Sequence, residues 1–421
     1  MKTVQVGIRK AVLPWLWSAL VLGAILVPIG GCKEKPEMPD TTIPPPTATM
    51  TGPEIGGQKV IVLRRSRTGD GTHPEFLSVT LLPGRGMNVF QITAYLPGRG
   101  EVPLLASPSL QEAAKLLNSG QAMDSSNKGF SMGGAFLFPF ANRIVGPLSA
   151  DKKYISATWQ GRTIQLLANW HGKRPEAPLH AIHGGMLDAK ADAIDEVAMM
   201  DSAVATATYH LNTNGHWFSS NAVTIDVALD ADAVDVTLKA TNTGKEPEPV
   251  GIGWHPYFQL PSGNRANARL HLPAEVRVQV NNYDDVFPTG KLLPVHGTPY
   301  DFTAEEGAPL PNVLVDDSFV QLQRTVEGNT VSEIKDIAAD YGLRVTAMTP
   351  LVRAIHVYSP VDKSFVALEP QFNYGDPFGE EWKGEDTGMV TVEPGNSVVW
   401  KTRLEMFQPS QPPSSPQSNP F

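Results

Sequence analysis

Four short stretches of this chain set reactive side chains among aromatic and turn residues. The first is Phe138-Pro139-Phe140-Ala141-Asn142-Arg143-Ile144, a guanidinium inside an apolar run. The planar fork of Arg143 suits vicinal hydroxyls, and it suits a structural ion pair as well. The second, Leu179-His180-Ala181-Ile182-His183-Gly184-Gly185, spaces two histidines three apart. No third ligand stands nearby at metal spacing, so a loop imidazole that meets a hydroxyl or caps a turn is expected, and no metal. The third is Gly253-Trp254-His255-Pro256-Tyr257-Phe258, where a histidine before a proline is held rigid between aromatics. Trp254 and Tyr257 offer faces on which a sugar ring stacks, or rings for a core. In the fourth, Ala367-Leu368-Glu369-Pro370-Gln371, a carboxylate ends an apolar strand where Pro370 is expected to stop the pairing.

The elements that must position these groups are mostly strands. Gly and Pro number 37 each in 421 residues, too much punctuation for long helices or coiled coils. Hydrophobic residues make up 41%, enough for a sizeable core. Period-two alternation marks Val223–Ala240 as a hairpin, and 276–280 and 398–406 as strands. One helix is expected: Ser109-Leu110-Gln111-Glu112 is a capping-box pattern, followed by an apolar face and stopped by Gly120. The fold class is therefore all-β, a large antiparallel sandwich or barrel with few short helices. A net charge of −9 argues against a nucleic-acid partner, which needs a basic face.

The N-terminus reads as an address. Lys2, Arg9 and Lys10 precede an uncharged, mostly apolar run from Ala11 to Ile29. Ile29-Gly30-Gly31-Cys32 follows, and Cys32 is the single cysteine. This order matches a secretory signal peptide over residues 1–31. The break resembles a bacterial lipobox, with Cys32 lipidated and the protein exported to a membrane at the periplasmic or cell-surface side. Residues 32–57, with six prolines after the cysteine, read as a tether. Residues 408–421 read as a disordered Pro/Ser/Gln-rich tail, which leaves 58–407 as the folded domain.

Taken in order, the four stretches resemble the aldose 1-epimerase (galactose mutarotase) family. The motifs are Asn142-Arg143-Ile144, His183-Gly184-Gly185, His255-Pro256-Tyr257-Phe258 and Glu369-Pro370-Gln371. Val315-Asp316-Asp317-Ser318-Phe319 is similar to a fifth, with Asp316 on the sugar-binding position and Asp317 where many members carry His. The resemblance implies an antiparallel supersandwich and a cofactor-independent interconversion of the α and β anomers of a free aldose. Glu369 matches the family's general base and His255 its general acid. Arg143, His183 and Asp316 match sugar-holding positions, and Asn142, Trp254 and Tyr257 complete the expected binding set. His180 competes with His183, and Asp317 with Asp316, for the sugar contact. Facing each other across a small ligand, Glu369 and His255 would each favour the other's charged form.

Two further readings stay open. A sugar-binding module could keep the groove without turnover. An enzyme for a phosphorylated hexose would need a basic cluster, for which Lys173-Arg174 is the candidate. The segments 110–134 and 186–203 look like insertions able to shape the groove, and Trp170–Arg174 matches nothing.

Overall fold

The alternation seen in the sequence builds two large antiparallel sheets. The computed structural model describes residues 44–119, 128–212 and 215–411. One sheet has twelve strands and the other nine, with three two-stranded ribbons beside them among the described residues. Apolar residues of both sheets share one core. Val79, Ile92, Phe136, Trp254, Phe319, Val357 and Leu368 come from the larger sheet. Val223, Ile225, Leu238, Val345 and Trp400 come from the smaller. A sheet with one face on such a core must alternate apolar and polar along each strand.

The centre of the larger sheet carries the candidate residues. Its neighbouring strands run Gly134–Leu137, Gly253–Gln259, Phe365–Gln371, Ala354–Ser359 and Val315–Leu322. Trp254, Phe258, Val366, Leu368, Ile355, Val357 and Phe319 face the core. His255, Tyr257, Glu369, His356, Asp316 and Ser318 occupy the alternate positions and share the opposite face.

The hairpin lies at Asn221–Leu229 and Ala233–Asn242, and the other expected strands at Ala274–Val280 and Ser397–Phe407. The helix spans Leu110–Asn118, with Ser109 and Glu112 closing both halves of the capping box. Gly120 lies outside the described residues, and Ser119 is the C-cap.

Two expectations are corrected. Pro370 does not stop its strand: Phe365–Gln371 runs through it, with Pro370 opposite Ile355. On the other side of this strand, the ladder pairs Gly253 with Gln371 and resumes at Tyr257 with Ala367. The missing N–H of Pro370 falls in the gap between them, so a proline is tolerated in a central strand. Second, the stretch expected as tether contains a strand, Thr47–Ile55, paired with Gln58–Arg64. Ile55 is fully buried beside Val60, Leu82, Phe90 and Leu117. The compact unit accordingly begins at Ile43. Cys32 and the apolar run before it lie outside the described residues, as does the tail beyond residue 411.

Candidate active site

Cross-strand register writes the centre of the site. With Gly253 paired to Gln371 and Tyr257 to Ala367, His255 stands opposite Glu369. Glu369 in turn pairs with His356, and His356 with Ser318. Four adjacent strands thus contribute His255, Glu369, His356 and Ser318 to one row on one face. His255 Nε2 lies 3.3 Å from Glu369 Oε1. The other oxygen of Glu369 accepts from the Gln371 amide at 2.9 Å. His356 Nε2 lies 3.0 Å from Asp316 Oδ1, and its Nδ1 lies 2.9 Å from Ser318 Oγ.

Two loops close over this row. Asn142, at φ 62°, directs its Oδ1 to Arg143, accepting from the backbone N–H and from the guanidinium, each at 3.0 Å. Its amide nitrogen reaches His356 Nδ1 at 3.4 Å. Arg143 has no carboxylate partner among the described residues and is buried. A short ribbon ties the second loop to the first, with Arg143 opposite Ile182. His183 follows at φ 61°, and its ring centroid lies 5.3 Å from that of His255. Phe130 packs on both imidazoles, at 4.7 Å from His183 and 5.9 Å from His255.

Several expected contacts resolve into one choice. His183 joins the site. His180 points away, onto the Phe287 ring at 4.9 Å and the Pro178 carbonyl. Asp316 faces the site. Asp317, one residue on and therefore on the other face, is held by Arg277 at 2.6 Å and the Tyr283 hydroxyl at 2.8 Å. Tyr257 stays on the site face, stacked on His255 at 4.6 Å. Trp254 does not: it is fully buried in the core against Phe136 and Trp400, and its indole donates to the Gly134 carbonyl. It is one residue out of phase with His255, so it cannot stack on a ligand there.

The segment 110–134 bears on the site through Phe130, whereas 186–203 holds a short turn and the edge strand Ala193–Ala198 of the smaller sheet. Trp170 exchanges backbone hydrogen bonds with His180 and packs edge-on to Phe130. Arg174 is taken up by Asp284 at 2.8 Å and Asp285 at 3.0 Å. Of the Lys173-Arg174 cluster that a phosphate would need, the guanidinium is thereby paired with carboxylates.

His356 is the site residue that the sequence reading missed. It sits in Ala354-Ile355-His356-Val357-Tyr358, a strand whose only signal is a polar residue at an alternate position.

Burial sets the electrostatics. Glu369 is 1% exposed and His255 6%. Burial pushes the Glu369 carboxyl up to about 7, against the opposing pull of His356. Burial also pulls His255 down to about 3, helped by His356. The expectation that the pair would hold each other charged is overturned: in so dry a site, desolvation outweighs the attraction. Asp316 is the opposite case. Burial raises its carboxyl, but the bond to His356 and the charge of Arg143 bring it below the ordinary range. His183 is driven well below its ordinary value by burial and remains neutral.

Five buried polar atoms here lack a protein hydrogen-bond partner: Arg143 Nε, His183 Nδ1, His255 Nδ1, Glu369 Oε1 and Gln371 Oε1. Each such atom typically costs ~1–3 kcal/mol. The cluster leaves donors and acceptors available to a polar ligand.

Residues 106–405 match the family model described as aldose 1-epimerase. The chain belongs to the aldose 1-epimerase family. Among curated proteins it is similar to the uncharacterized protein YphB of Escherichia coli K12, 26% identical over 279 residues, 64% of this chain and 82% of that one. Among solved structures, a galactose mutarotase-like protein from Clostridium acetobutylicum superposes with TM-score 0.66 at 16% identity. It matches 86% of this chain and 99% of its own. Galactose 1-epimerase from Lactobacillus acidophilus gives TM-score 0.59 at 14% identity, over 86% and 98%. The all-β architecture is thus that of the galactose mutarotase-like sandwich, and the polar row lies inside the family match.

Proposed function

We propose that the protein is an aldose 1-epimerase that interconverts the anomers of a free aldose. The observation that carries this reading is the cross-strand Glu369–His255 pair, 3.3 Å apart, among buried polar atoms without protein partners. A binding site needs donors and acceptors. It does not need a carboxyl and an imidazole that can exchange a proton.

Ring opening asks for two proton transfers. Glu369, as carboxylate, takes the proton from the anomeric hydroxyl. The bond from the anomeric carbon to the ring oxygen breaks as the carbonyl forms. The ring oxygen then receives the proton that His255 holds. Rotation about the first carbon–carbon bond exposes the other face of the aldehyde. Closure returns each proton to its donor and yields the other anomer. The active pair holds one proton in all, shared between Glu369 and His255. A positioned acid and base each contribute typically ~10²–10⁴-fold. Arg143, His183 and Asp316 hold the sugar hydroxyls, with Asn142 bracing Arg143.

The test is anomer equilibration of a panel of aldoses, followed by optical rotation or NMR and corrected for the spontaneous rate. Acceleration of at least one aldose is the expected outcome. Saturable binding without acceleration would replace this reading with the binding module.

A further inference from the structure

We propose that His356 is a positioning residue of this site: it clamps Asp316 for the sugar and sets a positive charge one strand away from Glu369. The inference rests on the acid–base reading of Glu369 and His255 and extends it. Its ground is geometric. His356 stands directly opposite Glu369 in the central ladder. Both ring nitrogens are engaged, Nε2 with Asp316 at 3.0 Å and Nδ1 with Ser318 at 2.9 Å. Nδ1 also lies 3.4 Å from the Asn142 amide, so the geometric ground for charge is the Nε2 contact with the Asp316 carboxylate and the place of Glu369 on the neighbouring strand: a ring set between two carboxyl groups is where the charged form is favoured.

The titratable groups around it come from every neighbouring element. Asp316 lies on the strand to one side, and Glu369 on the strand to the other. His255 stands one strand further. Tyr358 is on its own strand, and Arg143 and His183 are in the loops above. Burial pulls the His356 ring toward neutrality, but the carboxylates of Glu369 and Asp316 bring it above its ordinary value. The charge reaches both partners of the catalytic pair, lowering Glu369 and lowering His255. It thereby sets where the one-proton state of the pair lies on the pH scale.

His356→Gln removes the charge and keeps an amide that can reach Asp316. His356→Leu removes both. In His356→Gln, both limbs of the kcat/KM profile should move to higher pH. The ratio of activity at pH 9 to that at pH 6 should then rise about tenfold for a shift of one unit. KM should stay near wild type in His356→Gln and rise in His356→Leu. A loss of equal factor at every pH, or an unchanged profile, would overturn the proposal. Two measurements do not need turnover. The carboxyl carbon of Glu369, followed by NMR, should titrate at higher pH in His356→Gln. In the wild-type protein the ring nitrogens of His356 should both be protonated at pH 7, and a neutral ring there sinks the idea even if neither variant folds. Failure of the epimerase reading shows separately, as a wild-type protein that never exceeds the spontaneous rate.

Discussion

A carboxyl and an imidazole in contact titrate as a unit, and the unit has three states. Below about 3 the Glu369–His255 pair holds two protons and has no base. Above about 7 it holds none and has no acid. Between these limits it holds one, and kcat/KM should be flat. The basic limb thus reports Glu369 and the acid limb His255, the reverse of what their unperturbed values suggest. A pH–rate profile checks this, and a basic limb well below 7 would show that the site is wetter than its burial implies. Glu369→Gln keeps the shape and cannot take a proton, so kcat should fall by about 10² or more with the fold intact. Arg143 acts earlier. Its guanidinium has no carboxylate partner among the described residues, so Arg143→Ala should unfold nothing and raise KM, by about 5- to 150-fold for a loss of ~1–3 kcal/mol. Unchanged KM would remove Arg143 from the site.

At the scale of elements, the sequence was legible where one period governs it. The alternation over Val223–Ala240 and Val398–Met406 gave strands because each has one face on the core. The capping box at Ser109 gave the helix start because its two hydrogen bonds are local. Pro370 misled because a proline says only that one N–H is missing, and the gap in the ladder that accepts it is a property of the neighbouring strand. Trp254 misled for a related reason: an aromatic beside a reactive histidine in sequence is across the sheet from it in space. His356 gave no signal, since its partners Asp316 and Glu369 are 40 and 13 residues away and only sheet order brings them together. The loop that carries His183 permits a sharper test. Gly184 sits at φ 72°, and a Cβ there would enter the Phe138 carbonyl, which accepts from the Gly185 and Met186 N–H groups. Gly184→Ala should displace His183, costing ~1–3 kcal/mol of stability and raising KM. A Cβ on Gly185 meets nothing within 4 Å, so Gly185→Ala is the control. Equal behaviour of the two variants in thermal melts and kinetics would contradict this account of the loop.

For the whole molecule the question is where the functional unit begins. We propose, from Lys2-Thr3 through Gly31-Cys32, that the protein is exported and lipidated at Cys32. Wild type should then fractionate with membranes, and Cys32→Ser should be released or keep its leader. Recovery of wild type from the cytosol with Met1 intact would refute it. The domain itself should not depend on that segment. The central site residues lie between Phe130 and Gln371, and the compact unit starts at Ile43. A chain beginning at residue 44 should therefore match the full protein in melting temperature and in kcat/KM. A chain beginning at residue 58, the boundary that the proline-rich composition suggests, should not. It loses the Thr47–Ile55 strand and exposes the edge of Gln58–Arg64. It loses Ile55 from the cluster that packs the helix, a burial typically worth ~1.5–3 kcal/mol. It also loses the Glu54 carbonyl and the Gly56 N–H that hold the side chain of Asn118 at the helix end. That helix leads into the segment bearing Phe130, which packs on His183 and His255. Loss of the edge strand should consequently lower the melting temperature and raise KM together, in a chain that still contains every residue of the catalytic row.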